Sequence, residues 1–385
     1  NKISGKNQHG VEVTTYGALN QPAERLEFSN QIAMESLDFY DQLFGIPYPL
    51  PKLDQVAIPD FDAGAMENWG LVTYRESCLL VDHNTPQATK EYIATVVTHE
   101  LSHQWFGNLV TMRWWDNLWL NESFANMMQF YAVDHLRPEW KIWQDYFTED
   151  CLYALRRDSL KNVQSVQQTV SDPAEIDSLF DGAIVYAKGS HLIFMLMRLM
   201  TEYNFFQGLK SYFQKFQYQN TTGDDLWVCL QEFADFNIKD MMDSWIMQPG
   251  FPLIDGKKQQ RFFADGSTDQ TTWVLPKITD DMSGHYLIKL SEVDFQQKIR
   301  DFKDLSFEQK LRLLIDRSLL MRTPYINTSS ILDLLMEFKQ EKQESIWQII
   351  VTIIANLKIF FPPTSEYFPL FQKYLFSLAS YNIRR

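Results

Sequence analysis

The sequence predicts a mixed α/β fold spread over several domains, and three observations predict it. At 385 residues the chain exceeds what one core usually organises. Helical periodicity dominates from about 21 to 250. Glycine, proline and strand-like alternation then mark 251–295, before helix resumes over 296–385. Residues 1–20 alternate weakly ("VEVTTYGAL") and are expected to end an N-terminal β domain that is mostly absent. "SNQIAMESLDFYDQLFG" has a Ser/Asn start, apolar spacing of three and four, and Gly45 as its stop. The prolines of "PYPLPKLDQVAIPDF" forbid helix, and "LDQVAIP" fits an edge strand. "LVTYRESCLLV" reads as another short strand. One helix is expected from Thr85 to Gly107, with Pro86 in its first turn, and a second from Asp116 to Leu136, ended by Pro138. Further helices are expected near 137–157, 171–180, 183–203, 204–217 and 224–247. The expected domains are 21–250, a small β unit over 251–295, and a helical region over 296–385.

Composition excludes some roles. Hydrophobic content of 45% and 28 phenylalanines fit a globular chain with a sizeable core. A net charge of -14 argues against nucleic acid and against anionic membranes. The three cysteines are far apart and odd in number, so they read as buried free thiols of a reducing compartment rather than a disulfide framework. The longest apolar run, 346–361, is broken by Gln348, Asn356 and Lys358 and is too short to span a bilayer. No secretory signal opens the sequence. Cytoplasmic residence, no membrane and no nucleic-acid partner are the resulting expectations, with a monomer as the plausible state.

The chemistry concentrates in "VVTHELSHQWFGN". Residues four apart on an α-helix share a face, so His99 and His103 can both turn toward one ion while Glu100 stands beside it. Two neutral imidazoles with a neighbouring carboxylate suit Zn²⁺ and a water whose proton the carboxylate removes. Two histidines and a glutamate could also be polar decoration on an amphipathic helix. The apolar surroundings argue otherwise, because a buried charged glutamate is costly without compensation. A third ligand is available in "LWLNESFANMMQFYAV", where Glu122 lies on the following helix. His99, His103 and Glu122 form the metal set, and one Zn²⁺ per chain with an open fourth position is the expected cofactor.

"HELSHQW" and "WLNESFA" together resemble the gluzincin metallopeptidases, specifically the aminopeptidase N family and its bacterial cytoplasmic type. Members more often carry glycine where Ser123 stands, and one small residue for another leaves the adjacent ligand unaffected. "DAGAMENWG" alone reads as a turn entering a strand, but ahead of His-Glu-x-x-His it is similar to the family's exopeptidase signature. The resemblance implies that Glu67 anchors the α-amine of a peptide, that Gly64 and Ala65 meet its backbone, and that Met66 lines the first side-chain pocket, with Asn68 completing the substrate-binding segment. A Tyr-x-Lys-Gly segment after the zinc ligands carries the family's oxyanion stabiliser, which here is Tyr186. It also implies a thermolysin-like catalytic domain, then a small β-sandwich and an α-helical C-terminal domain. The expected activity is release of N-terminal residues from peptides with a free amine, with Glu100 as general base. A thermolysin-like endopeptidase has no use for the Glu67 segment. An epoxide hydrolase on this scaffold usually carries a second glycine where Ala65 stands, and a silent peptide-binding scaffold typically loses zinc ligands.

Overall fold

The computed structural model describes residues 1–383 and divides into two compact units. The first comprises Asn1–Trp143 and Ser165–Gln248. The second comprises Gln144–Gln164 and the chain from Pro249 onward.

The first unit is built on a five-stranded sheet. Strands β1 (Lys2–Lys6) and β2 (Glu12–Tyr16) form an antiparallel pair, with Lys2 opposite Tyr16. Helix α1 (Glu27–Phe44) then carries the chain to β3 (Lys52–Ile58), which pairs parallel with β2. Along α1 the buried residues Ile32, Ala33, Leu37, Tyr40 and Phe44 repeat at helical spacing and face the core. Gly45 at φ +69 ends the helix and donates its N–H to the Asp41 carbonyl. Strands β4 (Ala65–Met66) and β5 (Leu71–Arg75) complete the sheet in the order β1-β2-β3-β5-β4.

Two expectations are corrected here. Residues 1–20 are not the end of a separate β domain, since β1 and β2 are hydrogen-bonded members of the same sheet as β3. β3 is an interior strand rather than an edge. Pro51 and Pro59 stand just outside it, so no ladder donor is lost.

Helix α2 (Gln87–Ser102) follows Pro86 and buries Ile93, Ala94, Val97 and Leu101. It stops five residues before the expected Gly107. A short strand β6 (Val110–Met112) leads to α3 (Trp119–Leu136), which is buried on nearly all sides between Trp119 and Met128. The Tyr40 hydroxyl sits 3.0 Å from the Thr98 carbonyl and 3.1 Å from that of Met128, bridging α2 and α3. Beyond residue 165 the expected helix at 171–180 is a 3₁₀ turn, Pro173–Leu179. That expected at 183–203 begins as a π-helical segment, Gly182–Lys188, and becomes α-helical over Gly189–Met200. By length and composition Gly182–Met200 could cross a membrane, yet 83% of it is buried within the protein. Strand β7 (Gln219–Thr221) pairs parallel with β6.

The second unit contains one four-stranded sheet of β8 (Pro252–Asp255), β9 (Lys258–Phe262), β10 (Thr268–Asp269) and β11 (Leu287–Ile288). Gly256 at φ +61 closes the β8–β9 hairpin. The division differs from the expected boundaries. Residues 144–164, expected within 21–250, group here because the fully buried Asp158 accepts from the Gly250 N–H at 2.7 Å and meets His285 Nε2 at 3.0 Å. The expected 251–295 and 296–385 share one unit. Arg312, on the tail helix Phe307–Leu320, donates to the carbonyls of Asp281, Gly284 and Tyr286.

Candidate metal centre and active site

The last turn of α2 presents His99, the residue that caps it presents His103, and the first turn of α3 presents Glu122. The two Nε2 atoms lie 3.1 Å apart. Glu122 Oε2 is 3.5 Å from the first and 3.3 Å from the second. The opposite ring nitrogens settle what these atoms are. His103 Nδ1 is 2.9 Å from the Phe106 carbonyl, an obligate acceptor, so Nδ1 keeps its proton and Nε2 is the nitrogen that offers a lone pair once its own proton leaves. His99 Nδ1 is likewise 2.9 Å from Gln129 Oε1. Two imidazole lone pairs and a carboxylate oxygen therefore converge, all within 4.8 Å of one another. Such atoms are held together by a cation among them, a proton or a metal ion, and an N, N, O set is the donor chemistry of catalytic zinc.

The surrounding charges act on one another strongly. Burial pushes the Glu100 carboxyl well above its usual range, Glu67 and Glu122 add to this, and His103 opposes it. Glu100 Oε2 is buried with no hydrogen-bond partner in the protein. Burial alone would lower His103, but the carboxylates of Glu67, Glu122 and Glu100 push it up to about 10. Burial would raise Glu122, but His103 and His99 hold it well below the carboxylate range.

Tyr186 comes from the π-helical segment, whose start is capped by Asp181 Oδ1 accepting the Ala183 N–H at 3.0 Å. Its ring stacks on that of His99, with centroids 6.1 Å apart and planes 20° apart. Burial and then the neighbouring Glu122 carboxylate push the phenol far up, so it stays a neutral donor.

The 64–68 segment reaches the site along the sheet edge. Gly64 is exposed, and a Cβ there would meet nothing within 4 Å. Its carbonyl accepts the Arg75 N–H at 2.8 Å. Ala65 stands opposite Tyr74, so by antiparallel alternation its own N–H and C=O face away from β5 at the outer edge. Met66 is 45% exposed. Asn68 turns its amide back toward Thr73 Oγ1 and the Met66 carbonyl, at 3.4 and 3.5 Å. Glu67 is half-buried, and its carbonyl accepts from Asn108 Nδ2 at 2.8 Å. Gln104 joins this clamp, its Nε2 3.5 Å from the Glu67 carbonyl and its Oε1 3.3 Å from the Gly70 N–H.

The structure thus brings His99, His103, Glu122, Glu100, Tyr186 and Glu67 together. Sequence reasoning missed Gln104, Asn108 and Gln129. Only Gln129 had a signal, standing seven residues after Glu122 on the same face of α3. Of the tryptophans between 105 and 119, Trp105 and Trp119 are buried, whereas Trp114 is 45% exposed.

Residues 28–245 match the peptidase family M1 domain. The chain is 41% identical to the aminopeptidase N of Lactobacillus delbrueckii subsp. lactis over 399 residues, covering 93% of this chain and 47% of that protein. It is 39% identical over 411 residues to that of Lactobacillus helveticus, covering 95% and 49%. With the aminopeptidase M1-D of Oryza sativa subsp. japonica it shares 42% over 300 residues, covering 74% and 34%. The chain spans about half the length of the aminopeptidases N it matches. Since the family's domain covers more than half of the chain and encloses the whole His99, His103 and Glu122 group, this chain belongs to peptidase family M1.

Proposed function

We propose that this chain carries the active site of a zinc-dependent aminopeptidase that releases N-terminal residues from peptides. One observation carries the reading: a converging N, N, O donor set beside a carboxylate, Glu67, whose backbone is clamped by Gln104 and Asn108 of the segment that follows the histidines. His99, His103 and Glu122 would hold the ion. Bound zinc would polarise the scissile carbonyl and acidify water. Glu100 takes the proton of the attacking water and passes it to the leaving amine, a task suited to a carboxyl with a raised affinity for protons. Tyr186 donates its O–H to the carbonyl oxygen as charge builds there. The Glu67 carboxylate accepts hydrogen bonds from the substrate's α-ammonium, and the outward Ala65 backbone pairs with the peptide as an added strand, with Gly64 leaving it room. Met66 and Asn68 flank the first side chain.

On the same reading the enzyme is cytoplasmic, with no membrane or nucleic-acid partner. The net charge and three buried unpaired cysteines support this. A thermolysin-like catalytic domain, a small β-sandwich and a helical C-terminal domain remain our reading of the wider organisation.

The test compares leucyl anilide with its N-acetylated counterpart, using full-length protein. Free-amine substrate is cleaved, blocked substrate is not, and a chelator abolishes the activity. Glu67→Ala lowers kcat/KM for the free amine roughly 10- to 100-fold, as expected for losing a charge-assisted bond. Glu100→Gln keeps its metal and loses roughly 10²- to 10⁴-fold in kcat. Equal cleavage of both substrates by the wild type overturns the aminopeptidase reading in favour of an endopeptidase. Zinc binding with no cleavage of either favours a scaffold.

A further inference from the structure

Ser123 follows Glu122 and is fully buried, yet its side chain does not point at the metal set. Its hydroxyl donates to the Val185 carbonyl at 2.6 Å, 62 residues away in sequence and next to Tyr186. That carbonyl belongs to the π-helical segment Gly182–Lys188. In a regular α-helix the N–H four residues on, that of Gly189, would bind it. Here the Gly189 N–H goes instead to the carbonyls of Ile184 and Tyr186, so the Val185 carbonyl loses its α-helical donor at the point where the Ser123 hydroxyl reaches it. π-Turns are strained insertions that persist where something compensates them. Packing at this point leaves no room for a side chain on the facing residue: a Cβ on Gly189 would lie 2.0 Å from Ser123 Oγ.

From these contacts we propose that Ser123 is a positioning residue for Tyr186, a role that rests on the reading of Tyr186 as the oxyanion donor. The tether starts one residue from the metal ligand Glu122 and ends one residue from Tyr186. It fixes the phenol relative to the metal set through a single hydrogen bond. A second link between the same helices, Asn126 Nδ2 to Ser190 Oγ at 3.0 Å, lies further along and does not pass through Ser123. Removing the Ser123 hydroxyl therefore loosens the π-turn while the helix pair stays together.

The experiment is a double-mutant cycle of Ser123→Ala and Tyr186→Phe in full-length protein, reading kcat and KM on leucyl anilide and bound metal. Ser123→Ala lowers kcat roughly 5- to 50-fold, less than the roughly 10²- to 10³-fold of deleting an oxyanion donor outright. KM and metal content hold. In the Tyr186→Phe background the same change has no further effect on kcat, because the group it positions is gone. A general packing role would instead cost the same factor in both backgrounds, and that result, or an unchanged kcat for Ser123→Ala, overturns the proposal. Should the alanine variant fail to fold, Ser123→Gly is read by the same criteria, since it removes the hydroxyl and eases the contact with Gly189. Wild-type kcat in Tyr186→Phe alone is a different failure, that of the oxyanion reading itself.

Discussion

Replacing Gln129 by leucine tests how the metal set is oriented. The two histidines are held by different acceptors. His103 Nδ1 meets a backbone carbonyl, that of Phe106, which no side-chain change removes. His99 Nδ1 meets Gln129 Oε1 at 2.9 Å, two turns along α3 from Glu122. A leucine of similar size fills the half-buried position but accepts nothing. The His99 proton is then free to occupy Nε2, where it blocks the lone pair aimed at the ion, and the ring is free to turn. Losing such an orienting partner costs roughly 10- to 100-fold in metal affinity, or about 1.4 to 2.7 kcal/mol. Thermal stability stripped of metal should change little, because no buried group in the core is lost. Gln129→Glu keeps an acceptor and should hold affinity at or above the wild-type level. Zinc dissociation constants, measured by competition with a chromophoric chelator at fixed neutral pH, check this. A leucine variant within about twofold of wild type refutes the reasoning, as does a glutamate variant that loses as much as leucine.

Two further predictions concern stability. Gly189→Ala places a methyl 2.0 Å from Ser123 Oγ and 2.7 Å from its Cβ, both short-tethered atoms. It should destabilise by about 1–3 kcal/mol or more, and Ser123→Gly in the same chain should recover part of that. Urea midpoints measure both, and an unshifted midpoint for Gly189→Ala removes the close-contact argument. Asp316 offers a pH dependence. Burial pushes its carboxyl from 3.8 up to about 7, against the pull of Arg312. Between those values the folded chain binds more protons at this site than the unfolded one, so this group's contribution to stability falls as pH rises and levels off above about 7. Asp316→Asn stays neutral throughout. Its melting temperature relative to wild type should climb as pH goes from 4 to 7, and a flat or falling difference refutes the sign.

Legibility in the sequence followed the distance over which each feature is decided. His99, His103 and Glu122 could be read because helical spacing and one intervening loop bring them together. The helices α1, α2 and α3 were readable from their apolar period. β3 was misread because two prolines bracket it, and nothing local says that they fall outside the ladder. The membership of 144–164 rests on Asp158, whose histidine partner lies 127 residues on. Ser123 looked like a neutral swap of small residues because its acceptor exists only when a segment 62 residues later adopts a π-turn.

Among the helix ends that periodicity misjudges, that of α2 matters most to the chemistry. Apolar spacing carries on through "HQWFG", which is why α2 was expected to reach Gly107. Had it done so, the Phe106 carbonyl would point onward along the axis while the His103 side chain leaned back toward the N-terminus, and the two would not meet. Instead the helix ends at Ser102, and the Val110 N–H turns to the Trp105 carbonyl at 3.2 Å. That leaves the Phe106 carbonyl to take the proton of His103 Nδ1, which aims Nε2 at the ion. The early stop also places both histidines at the negative end of the α2 dipole, where a cation is favoured. Glu122, in the first turn of α3, sits at a positive end that favours its carboxylate. The motif supplies the right atoms, but it is the broken helix that gives His103 the tautomer a metal ligand needs.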